Sequence, residues 1–256
     1  MAIKRVNIGI VVLNYLSYNV TIKCVNYLKK QIENKFVVKI IVVDNDSKNE
    51  SFKILNDYFK NDQEVVVVKT PYNLGFAKGN NFGYKTLLKY MDPDFVIFSN
   101  SDAYAKQPKL FDWIVREYDE SKFDVLGPSI YSVRGNFYQS PLENGTLSIK
   151  KLKKEKYELW KSIINLTIKK HLRLNISKGS KITKWHNNYY NRKCYDKTLH
   201  GAFQIFSKNY FKFYKEPYDP RTFLYREEYI LKLRCLINNL KMEYSPDYTI
   251  QHLQAV

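Results

Sequence analysis

Phe36-Val37-Val38-Lys39-Ile40-Ile41-Val42-Val43 runs directly into Asp44-Asn45-Asp46-Ser47. A nearly unbroken apolar run rich in β-branched residues suits a strand buried on both faces, and the acidic, turn-forming residues after it end the strand. The same grammar extends outward in both directions. Val6–Leu13 is a second such strand, joined to the first by helical spacing over Asn19–Gln31 (Val20, Cys24, Tyr27, Leu28). Downstream, Ser51–Phe59 predicts a helix, Val65–Val68 a strand, and Asn80–Tyr90 a helix opened by Gly75 and Gly79. Phe95–Phe98 predicts a strand ending in Ser99-Asn100-Ser101-Asp102, followed by helix over Pro108–Tyr118 and strand over Val125–Tyr131. Apolar strands alternating with helices predict an α/β fold whose mostly parallel sheet is covered on both faces. Ligands of such sheets sit beyond the carboxyl ends of the strands. Two of those ends carry acid-bearing turns here.

The chain has 256 residues, 45% hydrophobic and 26% charged, which excludes wholesale disorder. Cys24, Cys194 and Cys235 are scattered, with no CxxC pair, so a reducing compartment fits better than a disulfide framework. There is no P-loop, no GxGxxG after the first strand, no GxSxG and no HExxH. P-loop hydrolysis, hydride transfer and serine acyl transfer therefore lose their main support. The spacing of Gly75, Gly79 and Gly83 suits a helix packed tightly on a neighbour.

Acidic residues at Asp44, Asp102, Glu227 and Glu228, with His252 downstream, stand within an ordered series. It begins at Val11-Val12-Leu13-Asn14-Tyr15 and passes through Asp44-Asn45-Asp46-Ser47, Asn73-Leu74-Gly75-Phe76-Ala77-Lys78-Gly79-Asn80-Asn81 and Asn100-Ser101-Asp102. It continues at Gly127-Pro128, Gly201-Ala202-Phe203 and Phe223-Leu224-Tyr225-Arg226-Glu227-Glu228, and closes at His252. Over most of the chain this resembles the family 2 glycosyltransferases, inverting enzymes with a GT-A fold and nucleotide-sugar donors.

The resemblance implies a GT-A-like nucleotide-binding sandwich with a basic helical insert. Residues 1–132 would form the nucleotide-sugar-binding half and 133–256 the acceptor-binding half. It implies a divalent metal, Mn²⁺ or Mg²⁺, on Asp102 of a DxD-like motif and on His252. Asp44 would accept a hydrogen bond from the donor base, Tyr15 would pack on that base, and Asn80 and Asn81 would hold the nucleotide. Asn100, where the motif has its first acid, would contact ribose or sugar. Inversion by single displacement needs a base on the acceptor side; by position that base is Glu228, with Glu227 orienting it or binding acceptor.

Charge singles out one segment. Lysine and arginine exceed the acids by 17, and residues 150–193 hold 14 of the basic residues against two acids, or +12 of that excess. Leu159, Trp160, Ile163, Ile164, Leu166 and Ile168 form an apolar band among these lysines, the pattern of an interfacial helix on an anionic membrane surface. No apolar run reaches the roughly 18–20 residues of a membrane span, and no signal-peptide cleavage pattern follows the N-terminus. The expectation is a cytoplasmic protein, peripheral on the inner face of the membrane, acting on a glycan or lipid-linked glycan of a surface polysaccharide. Localised charge and missing RRM, KH and helix-turn-helix signatures weigh against the alternative of a nucleic-acid-binding protein. A nucleotidyltransferase on a related sheet is a further alternative, but Leu13-Asn14-Tyr15-Leu16-Ser17 lacks the glycine and arginine of that loop.

Overall fold

The computed structural model describes residues 5–142, 190–195 and 197–254. Contacts gather 1–143 and 186–256 into one unit. Its elements run β1 (Val6–Asn14), α1 (Tyr18–Lys29), β2 (Phe36–Asp44), α2 (Ser51–Phe59), β3 (Val65–Lys69), α3 (Gly75–Leu87), β4 (Phe95–Asn100), β5 (Ala103–Tyr104), α4 (Leu110–Ser121) and β6 (Val125–Ser132). There follow β7 (Phe137–Tyr138), β8 (Cys194–Tyr195), β9 (Phe203–Ser207), α5 (Glu227–Ile237) and β10 (Met242–His252).

One sheet takes all ten of these strands, in the order β3-β2-β1-β4-β9-β6-β10-β5, with β7 on β6 and β8 on β10. β3, β2, β1 and β4 are mutually parallel, β9 is antiparallel to both β4 and β6, and β10 runs parallel to β6. Six strands therefore share one direction, which is the mostly parallel sheet of the sequence reading. The halves divided at residue 132 share this sheet. Ile8, Ile10, Val12, Val38, Ile40 and Val42 bury one face of the parallel strands with α1 and α2, while Val11, Ile41 and Val43 bury the other against α3. That two-sided burial is why these strands read as continuous apolar runs.

α3 begins at Gly75, five residues before its sequence reading. Glycine is a poor helix former, but here it lets the helix lie directly on the strands. A Cβ at Gly83 would stand 2.4 Å from Val11 Cγ1 and 2.8 Å from Val43 Cγ2.

The apolar band from Leu159 to Ile168, like most of the basic insert, lies outside the described residues. The last residue of that insert, Lys193, is described and is not simply a solvated surface charge. Its Nζ lies 2.8 Å from Glu117, 3.0 Å from Glu120 and 3.8 Å from Glu243, and Glu117 and Glu243 are fully buried. Burial above all, with the Glu117 charge beside it, pushes the Glu243 carboxyl up. Among the described residues no helix is long and apolar enough to cross a membrane.

The Gly83 contact generates a stability prediction. In an exposed helix Gly→Ala gains up to about 1 kcal/mol, but stiff valine side chains cannot yield here. Gly83→Ala is expected to destabilise the fold by about 1–3 kcal/mol, read as a lower urea midpoint; an unchanged or higher midpoint contradicts the close packing.

Candidate active site

The carboxyl ends of the codirectional strands open on one edge. In the register Asn14 faces Asp44 and Leu13 faces Asn100, while His252 pairs with both Ser132 and Ala103. β9 runs the other way, and Phe203 at its start pairs with Ser99 near the end of β4. The turn before β9, residues 199–202, is thereby brought to the same edge.

Asp102 and His252, distant in sequence, meet there. Asp102 Oδ1 lies 3.3 Å from His252 Nε2, and both side chains are largely buried. Gln139 Oε1 is 2.8 Å from the other ring nitrogen, Nδ1. A carbonyl oxygen only accepts, so Nδ1 donates its N–H to Gln139. A carboxylate beside an imidazole is a donor pair suited to a divalent cation. Among the described residues no group of three or more His, Cys, Asp or Glu is placed to hold a metal ion. Two protein ligands are compatible with Mg²⁺ or Mn²⁺ chemistry in which substrate phosphates complete the shell.

The His200 ring packs edge-on against His252, with centroids 5.4 Å apart, and its Nδ1 accepts the Ala202 N–H at 3.1 Å. Desolvation, then His252, push its pKa down to about 3, so the ring is neutral. The next residue, Gly201, lies against Glu228, and its backbone helps to lower that carboxyl's pKa. A Cβ on Gly201 would stand 2.7 Å from Glu228 Oε1. Burial chiefly, and the Glu227 charge, raise the Glu228 pKa above its ordinary value, although its own and Gly201's backbone N–H groups offset part of the rise.

Glu227 and Glu228 open α5 directly after Tyr225 and Arg226, two consecutive non-glycine residues with φ of 72° and 77°. Such a left-handed pair is strained, and strain of this kind collects at functional sites. Phe76 N–H holds the preceding loop by donating to Phe223 O at 2.7 Å. Glu227 is buried, and among the described residues its Oε1 has no hydrogen-bond partner. The Arg226 guanidinium lies over the Tyr229 ring at 5.5 Å.

The remaining expected residues divide. Tyr15 is 45% exposed just beyond β1. Asn100 ends β4 beside the Asp102 turn, and its backbone N–H donates to Ala202 O at 2.8 Å. Asp44 is fully buried, its carboxylate accepting from Asn14 Nδ2 at 2.7 Å and Ser47 N–H at 2.9 Å, so it shapes the loop beside Tyr15. Asn80 and Asn81 are buried in α3. Asn80 Nδ2 donates back to Phe76 O, and Asn81 clamps Tyr218, donating to its carbonyl at 2.9 Å and accepting its N–H at 3.1 Å. Asn80 Oδ1 is buried with no hydrogen-bond partner among the described residues. His200, Gln139 and Asn14 carry no role in the sequence reading, and only Asn14 lies within a quoted motif.

The sequence profile of glycosyl transferase family 2 matches residues 8–199. The chain belongs to glycosyl transferase family 2. Among relatives, it is 31% identical over 106 residues to a poly(ribitol-phosphate) beta-glucosyltransferase of Bacillus spizizenii, spanning 41% of this chain and 16% of that protein. Crystalline S. aureus TarS 1–349 in complex with UDP-GlcNAc superposes at a TM-score of 0.59, with 18% identity, over 98% of this chain and 59% of that one. The mannosyltransferase PcManGT from Pyrobaculum calidifontis, in complex with GDP-Man and Mn²⁺, gives 0.61, with 11% identity, over 98% and 58%. The chain thus spans less than two thirds of each of these proteins. As a family 2 chain it has the GT-A fold, with its candidate groups on the carboxyl edge of the sheet.

Proposed function

We propose that this chain is an inverting glycosyltransferase that moves a sugar from a nucleoside-diphosphate donor to a hydroxyl of a surface-polysaccharide acceptor. The observation that carries the reading is the 199–202 turn, which joins Glu228 to the Asp102–His252 pair in a family 2 chain. Tyr15 offers an exposed ring to the donor base beside the loop that Asp44 holds, and Asn100 is within reach of ribose or sugar. Asp102 and His252 would hold Mn²⁺ or Mg²⁺, which when bound offsets the charge of the departing nucleoside diphosphate.

Glu228 takes the proton from the acceptor hydroxyl as its oxygen attacks the anomeric carbon. The Gly201 backbone lies beside that carboxylate, and its raised pKa makes it a stronger base than an ordinary glutamate. Glu227, with a buried oxygen lacking a hydrogen-bond donor, is suited to receive a second acceptor hydroxyl. The donors in the TarS and PcManGT complexes support a nucleoside-diphosphate sugar here, with uracil as the preferred base. The Bacillus relative supports a polymeric acceptor. A lipid-linked acceptor would place the enzyme at the inner membrane face, held by residues 150–193.

Titration calorimetry of UDP, GDP and dTDP, with Mn²⁺ and with EDTA, tests the donor site. One diphosphate is expected to bind in a metal-dependent way, and Asp102→Ala to abolish that binding; a folded protein that binds none overturns the reading. The pH profile tests the base. Glu228 must be ionised to act, so kcat/KM should fall as the pH drops through its raised pKa, at a higher pH than an ordinary glutamate gives. Glu227→Gln removes a neighbouring negative charge and should move this acid limb to lower pH, whereas an unmoved limb assigns it to another group. Co-sedimentation should show binding to anionic phospholipid vesicles that weakens steeply with salt; equal binding to zwitterionic vesicles, or none, removes the membrane assignment.

A further inference from the structure

We propose that His200 is a further donor-site residue, supplying its Nε2–H as a neutral hydrogen bond to the diphosphate of the bound nucleotide. This rests on the glycosyltransferase reading and assigns a role to a residue outside the expected metal ligands and base.

The argument begins with the tautomer. The Ala202 backbone N–H can only donate, and it lies 3.1 Å from His200 Nδ1. Nδ1 therefore holds a lone pair, and the proton of the neutral ring sits on Nε2. Because Nδ1 is turned toward its own turn, the Nε2 edge faces away from it. Among the described residues Nε2 has no hydrogen-bond partner, and the residue is only partly buried. A donor fixed in orientation by the backbone is thus left open at the carboxyl edge of the sheet.

Its surroundings specify the ligand class. The ring packs on His252, whose Nε2 faces Asp102, and the adjacent Gly201 lies against Glu228. A diphosphate brought to the Asp102–His252 pair comes to rest beside this ring, and its oxygens are acceptors only. Hydrogen bonds to charged groups are stronger than those between neutral ones. A neutral donor also makes this contact without adding a second cation to compete with the metal for Asp102.

The test compares binding of UDP, GDP and dTDP with that of the matching monophosphates, by calorimetry with Mn²⁺ present. Wild type, His200→Ala and His200→Gln are used, each shown folded by its thermal melt. The diphosphate that binds wild type should bind His200→Ala about tenfold more weakly, as expected for losing one hydrogen bond to a charged group. The monophosphate should be far less affected, and His200→Gln, which restores an N–H donor, should recover most of the loss. Undiminished diphosphate binding by His200→Ala overturns the inference and leaves the donor site intact. Equal losses for mono- and diphosphate, or no recovery with Gln, overturn it in favour of a merely structural turn. A folded wild type that binds no diphosphate removes the glycosyltransferase reading itself, and this inference with it.

Discussion

Strand direction is the constraint on which this molecule depends. Six strands of one sheet run the same way, so chain segments separated by more than two hundred residues deliver their carboxyl ends to one edge. β9 runs against them, and that reversal brings to the edge a turn that precedes a strand. Had β9 been parallel, residues 199–202 would lie at the far edge, away from Glu228. The layout of the candidate site follows from that one antiparallel strand between two parallel sets.

The first half of this arrangement was legible because its signals are local. The sequence places β2 at Phe36–Val43 against an observed Phe36–Asp44, and α2 at Ser51–Phe59 with the same bounds. Both are set by side chains within the element. β10 was illegible for the opposite reason. Met242–His252 includes Glu243, Pro246 and Asp247, and its buried Glu243 is tolerated because Lys193, some fifty residues earlier, approaches it. Such compensation leaves no trace in a short window. His200 and Gln139 escaped notice similarly, since each acquires meaning only from His252, which another strand supplies. The clamp made by Asn81 was hidden in the same way, because the Tyr218 backbone that engages it lies far along the chain.

The same long-range logic revises the charge pattern. A sum of +12 over residues 150–193 treats every lysine alike. Lys193 answers two buried glutamates and a third, more exposed one, so its positive charge is balanced within the fold. Removing it would leave carboxylates in a low-dielectric interior without their cation, which is costlier than losing an exposed ion pair. Net charge therefore overstates what this segment can offer an anionic surface, and the shortfall arises at the point where the chain rejoins the sheet.

Glu228 is fitted closely to the turn that precedes β9. An aspartate there would be one methylene shorter. The longer side chain reaches the 199–202 turn, where Gly201 presents a backbone N–H and no side chain to obstruct it. A Cβ on Gly201 would press on Oε1, so the glycine and the longer acid suit each other sterically as well as electrostatically. Burial raises the energy of the charged carboxylate while the N–H lowers it. The balance leaves the pKa of this carboxyl above its ordinary value. The extra methylene thus adds no slack at the site, because the backbone contact at Gly201 takes up its reach.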